Sequence, residues 1–103
     1  MKHAPVFHAD FIADYQEQIE ALAEKNDEGG IHGLWQGVTE ACSLLSRFPL
    51  AGPAVETRGQ STLRKLILRR IPFVVWYLVS KGQPPTLVRL FHLRQRRLGR
   101  SRR

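Results

Sequence analysis

Residues 61–79 read STLRKLILRRIPFVVWYLV, and this stretch decides the fold. Before Ser61, apolar residues recur with a period near 3.6; from Ser61 onward the period is 2. The pattern predicts one strand over residues 63–69, a turn or bulge over 70–72, and a second strand over 73–79. The second is dense in aromatic and β-branched residues. Alternation puts Phe73, Val75, Tyr77 and Val79 on one face and Val74, Trp76 and Leu78 on the other. Both faces are apolar, which predicts a central strand covered on much of both sides.

Working outward, residues 80–85 hold Lys81-Gly82 and two prolines and read as a turn. Residues 86–93 form a third strand that Pro84 and Pro85 keep from starting earlier. Upstream, residues 50–60 are rich in Gly, Pro and small side chains and read as a loop. Before that, Ile31, Leu34/Trp35, Val38, Ala41/Cys42, Leu45 and Phe48 form one stripe, predicting a helix over 31–47 that Pro49 limits. Gly33 and Gly37 weaken its first turns and favour close packing on the preceding helix. That earlier helix is predicted from Phe11, capped by Asp10, with a stripe of Phe11, Tyr15, Ile19 and Leu22. It stops at Gly29-Gly30. Residues 4–8 are weakly strand-like. The expected fold class is α+β: a short N-terminal strand and an antiparallel helical hairpin packed on a C-terminal, mainly antiparallel sheet.

The 103 residues amount to one domain, placed at residues 1–97 with a basic tail at 98–103. Six arginines fall within residues 94–103, a run that could track a phosphate backbone. One cysteine, Cys42, excludes an intrachain disulfide and fits a reducing compartment, here the cytoplasm. No apolar run approaches the roughly 20 residues of a membrane span, and no membrane partner is expected. The size argues against a large multistep enzyme and admits a small nuclease, a binding module or an inhibitor. Charge is polarised. Residues 1–52 carry a net −5 and residues 53–103 a net +12. A basic half of this strength attracts a polyanion or an acidic protein segment.

Four stretches carry a family resemblance. They are the acidic amphipathic helix at 9–23, the helix exit LLSRFPLAG at 44–52, the hairpin RKLILRRIPFVVWYLV at 64–79, and the strand LVRLFHLRQR at 87–96. In this order and spacing the chain resembles the ParE/RelE superfamily of toxins from bacterial type II toxin–antitoxin modules, over about residues 4–97. The "FP..G" exit and the "PF.V.Y" hairpin look more like the ParE, plasmid-stabilisation type. The resemblance implies a RelE/ParE-like fold and a growth-inhibiting toxin. It further implies direct binding to DNA gyrase and neutralisation by a cognate antitoxin with an acidic or amphipathic C-terminal segment. The other branch implies a metal-independent mRNA endonuclease, ribosome-dependent or free. Its motif residues that carry over are Arg69 and Arg94, while the terminal tyrosine of many such nucleases is absent after Arg94. An inactive, antitoxin-binding orphan would keep the same sequence features.

His92 and Arg94 stand two apart near the end of the last strand, so alternation places them on one face. Cleavage of RNA through the ribose 2′-hydroxyl needs proton transfer near pH 7 and a cation over the phosphate. Histidine and arginine supply these. In the nuclease reading His92, Arg94 and Arg69 form the catalytic set. In the other, His92 is bonded at the sheet edge and Arg94 is a partner-binding charge. Partner binding is assigned to Arg64, Arg69, Arg70, Arg89, Arg94, Arg96 and Arg97, as a basic sheet face extended by the chain's end; ordinary solvent-facing charge is the alternative. Arg69 and Arg70 are adjacent and face opposite ways in a regular strand, and Arg89 faces opposite His92. Trp76 or Tyr77 either stacks on a base or belongs to the core. His3, His8, His32 and Cys42 show no metal-ligand spacing, so neither metal nor cofactor is expected. Cys42 lies on the helix stripe as a small buried hydrophobe.

Overall fold

The computed structural model describes residues 4–94. Arg96, Arg97 and the basic tail at 98–103 lie outside the described residues. The elements run β1 (Val6–Phe7), α1 (Ala9–Glu24), α2 (Glu28–Arg47), β2 (Ala54–Arg58), β3 (Ser61–Ile67), β4 (Phe73–Ser80) and β5 (Thr86–His92). The five strands form one sheet in the order β1-β5-β4-β3-β2. β1 pairs parallel to β5, and every other pair is antiparallel. The α+β class, the helical hairpin and the central place of β4 stand as the sequence predicts.

The hairpin covers one face of the sheet. Phe11 of α1 and Leu34, Val38, Ala41 and Leu45 of α2 meet Phe73, Val75 and Tyr77 of β4 and Leu87 and Leu90 of β5 in one buried cluster. These are the predicted stripes and the predicted face. On the far face Val74 is also buried, and Trp76 meets Phe91 edge-on with ring centroids 5.7 Å apart.

The helix termini differ in detail from the sequence reading. His8, not Asp10, is the N-cap of α1, its Nδ1 accepting from the Asp10 amide. α1 ends in a left-handed Asn26, φ 55°, with the Asn26 and Asp27 amides donating back to Ala23 and Leu22. Asp27 then caps α2 by accepting from the Gly30 amide at 2.8 Å. Gly29 and Gly30 therefore lie inside the first turn of α2 rather than at a break. Gly33 and Gly37 do not face α1. A Cβ on Gly37 would lie 3.0 Å from Ile71 Cδ1, so this face of α2 is a notch for the turn between β3 and β4.

The main departure is β2, where a loop was expected. Its five residues are all exposed, so no apolar alternation marks them. They form a strand because the outer edge of β3 offers unpaired amides and carbonyls, and the two-residue turn Gly59-Gln60 brings the chain back, with Gly59 at φ 57°. β3 consequently starts and ends two residues earlier than predicted, at Ile67. Arg69 is therefore not on a strand; it lies with Arg70, φ 73°, in the turn. β5 ends at His92, and Leu93 and Arg94 begin a helical turn.

Candidate functional site

The strand arginines are held by the fold. Arg64 pairs in register with Tyr77 on the helix-covered face. Its Nη1 donates to the Gly52 carbonyl at 2.7 Å, while the Gly52 amide donates to the Tyr77 hydroxyl at 2.8 Å. A Cβ on Gly52 would overlap the Lys65 carbonyl oxygen, so only glycine fits. Burial raises the Tyr77 pKa; the Gly52 amide and Arg64 charge oppose the shift. Arg64 therefore ties the α2–β2 connection to the sheet.

Arg89 is committed to α1. Its Nε and Nη2 donate to the two carboxylate oxygens of Asp14 at 2.7 and 3.2 Å. Its guanidinium sits 5.0 Å from the centre of the Phe91 ring. The hydrogen bond to Asp14 raises its pKa further. Asp14 also accepts from the Leu90 amide at 2.9 Å. β1 pairs with β5 only at Thr86 and Leu87, and Asp14 thus serves the edge of β5 beyond β1's reach.

The remaining described candidates gather at one end of the sheet. Phe73 pairs with His92, and the Leu93 amide donates to the Pro72 carbonyl at 2.8 Å. This sets the turn holding Arg69 and Arg70 beside the end of β5. Arg70 lies 3.6 Å from Glu40. Arg69 is exposed and lines a shallow cavity of about 240 Å³ with Glu40, Leu44 and Leu68. His92 meets Phe73 edge-on at 5.0 Å, and its Nδ1 accepts from the Arg94 amide at 3.1 Å. Since residue 94 is already in a turn, strand alternation does not place it on the His92 face, which corrects the sequence reading. Burial first, then the charges of Arg94 and Lys25, hold the His92 pKa below its ordinary value. The ring is therefore neutral near pH 7 and has Nε2 free for proton exchange. Trp76 is half-buried on the open face and Tyr77 is core, so the stacking role does not fall to Tyr77.

A second surface went unseen in the sequence. Between α1 and α2 runs an apolar groove of about 330 Å³ lined by Phe7, Phe11, Ile12, Tyr15, Trp35 and Val38, among others. It borders a wider depression beside Ile19, Ile31 and His32. Trp35, expected on the buried stripe, is 55% exposed here and stacks on His32. The signal was the doubled apolar pairs Leu34/Trp35 and Ala41/Cys42. One member of each pair faces the sheet, and the other faces the groove. Burial raises the Cys42 and Tyr15 pKa values, so the Cys42 thiol stays protonated. Among the described residues no group of three or more His, Cys, Asp or Glu could hold a metal ion, and no helix is long and apolar enough to cross a membrane.

No protein-family model and no curated protein sequence matches the chain. Among solved structures it is similar to a chain of the chromosomal ParDE TA system from P. aeruginosa. The identity is 20% and the TM-score 0.66, over 88% of this chain and 98% of that one. Strand, helical hairpin and antiparallel sheet thus follow the RelE/ParE-like architecture, and it is the fold that this likeness establishes.

Proposed function

We propose that this chain is the toxin of a type II toxin–antitoxin module. It acts in the cytoplasm by binding DNA gyrase directly and is neutralised by a cognate antitoxin. The observation that carries the reading is the shared fold with a chain of a ParDE system, found over most of both chains. The apolar groove between α1 and α2 supports the partner: exposed Phe7, Ile12 and Trp35 form a surface that a second chain would cover. An antitoxin segment would set apolar residues in this groove and acidic ones near Arg69, Arg70 and Arg94. Of the partner-binding set, Arg64 and Arg89 serve by holding the scaffold, whereas Arg69, Arg70 and Arg94 are the described members exposed to a partner. Arg96 and Arg97 extend that set in sequence.

One observation favours the second reading, an mRNA endonuclease. His92, neutral near pH 7, shares one end of the sheet with Arg69 and Arg94. Two assays separate the readings: plasmid supercoiling by purified gyrase, and primer extension on cellular mRNA after induction. Lost supercoiling with intact transcripts is the expected result. Cuts in mRNA with unimpaired gyrase would overturn it in favour of cleavage. Neither effect, with retained antitoxin binding, would identify an inactive orphan.

A further inference from the structure

The two edges of the sheet are closed to different degrees. At one, β1 covers the start of β5, and Asp14 accepts the Leu90 amide beyond it. At the other, β2 pairs with β3 alone among the described residues, and all five of its residues are exposed. An open edge presents amides and carbonyls that another strand can take up. Here the hairpin fixes which ones. The turn Gly59-Gln60 closes on the pair Arg58–Ser61, and bonded and non-bonded pairs alternate from there along an antiparallel ladder. Thr57–Thr62 is then a non-bonded pair, in which side chains approach most closely, and the two hydroxyl oxygens lie 3.3 Å apart. The amide and carbonyl of Thr57 therefore point away from β3. Glu56 and Arg58 flank Thr57 on one face of the sheet and form an ion pair with each other at 2.7 Å. Before Glu56 the ladder is interrupted by a bulge at Val55, whose side chain is exposed.

We propose that this edge binds the same edge of a second copy of the chain, antiparallel and centred on Thr57. In that register the Thr57 amides and carbonyls of the two copies exchange two hydrogen bonds. Glu56 of each copy stands opposite Arg58 of the other, so the charges that pair within each chain also pair across the interface. Val55 falls opposite Gly59, where a Cβ would meet nothing within 4 Å. A register centred on Glu56 or on Arg58 sets like charges opposite each other, and the backbone groups at those centres are already bonded to β3. The strand's own charge order thus selects one self-complementary pairing, as an isologous contact requires. The pairing continues the sheet through both copies and keeps the helices of both on one face. With a single short strand from each copy, the interface is small and the association weak and transient. It leaves the groove between α1 and α2 open, and so stands or falls independently of the toxin reading.

The test is sedimentation velocity of the full chain between about 10 μM and about 1 mM, a range that spans weak dissociation constants. Salt is held at about 0.15 M, where the net positive charge of each copy is screened beyond about 8 Å. The expected result is a monomer–dimer equilibrium. Thr57→Pro should abolish the dimer with an unchanged far-UV circular dichroism spectrum, since proline is tolerated on an edge strand whose amide faces solvent. Glu56→Arg and Arg58→Glu should each weaken self-association by about tenfold, by setting like charges opposite each other. An equimolar mixture of these two variants restores both opposite-charge pairs and should recover the dimer. Three results would overturn the proposal. One is a monomer at every concentration, which would leave the edge to water or to a strand of another protein. Another is a dimer that survives Thr57→Pro, which would place the contact elsewhere, the groove included. The third is a mixture of the charge variants no more associated than either alone.

Discussion

Replacing Tyr77 with Phe removes one oxygen from a fully buried ring. That oxygen accepts the Gly52 amide at 2.8 Å. The ring stays, so the substitution opens no large cavity; the loss is confined to one hydrogen bond. Gly52 is itself buried, and Arg64 holds its carbonyl, so the amide cannot swing out to water. A buried donor stripped of its acceptor costs about 1–3 kcal/mol. The expected loss is about 2 kcal/mol, and the melting temperature should fall roughly 4–8 °C per kcal/mol in a domain of this size. Urea unfolding of both proteins, with equal m-values, measures the difference. Arg64→Met should couple to Tyr77→Phe by about 0.5 kcal/mol or more, because both side chains hold the same residue, Gly52. A Tyr77→Phe loss below about 0.5 kcal/mol, the scale of an ordinary surface change, would refute the claim that this bond fastens α2 to the sheet.

Asp14→Ala strips an acceptor from Arg89 and from the Leu90 amide, and should cost about 2 kcal/mol in the same denaturation assay, as bonds to a charged group do; a neutral outcome would mean that water serves the β5 edge equally well. Trp35→Ala should leave stability nearly unchanged, since the ring is outside the core, yet weaken antitoxin binding by calorimetry by about 2 kcal/mol or more, as loss of an interface anchor does. Unaltered affinity would move the partner away from the groove. For His92, the folded pKa lies below the unfolded value of about 6.5, so its contribution is complete above that value and is lost as pH falls through it toward the folded pKa. Urea midpoints should therefore drop on acidification from about pH 7 to about pH 5, and His92→Gln should flatten part of that drop; an identical profile in the variant would exclude His92 as its source.

The stripe of α2 and the two-faced apolar run of β4 were legible because both elements are buried by many side chains of one kind. β2 was not, because what makes it a strand is β3's demand for backbone partners, which leaves no mark on side-chain pattern. The same holds for the arginines. Residue type marked Arg64 and Arg89 as basic residues of the sheet, but their partners, Gly52 and Asp14, are distant in sequence and leave no mark on the pattern. Arg94 was misplaced because strand parity was carried past the residue where the strand ends. Gly33 and Gly37 were recognised as sites of close packing, but only the fold shows that Ile71 is what fits against them.

The order of the strands has a bearing on synthesis. Among the described strands β5 is the last to be made, and it is not at the margin: it lies between β1, the first of them, and β4. Asp14, which completes its edge, precedes it by 76 positions. A nascent chain that has reached residue 80 holds both helices and four of the strands, but β1 has nothing to pair with and Asp14 no amide to accept. Pairing strands some 80 residues apart in this way raises contact order and slows folding. This sheet therefore cannot be completed piecemeal as the described residues are translated. The five described strands come together only after β5 has been delivered.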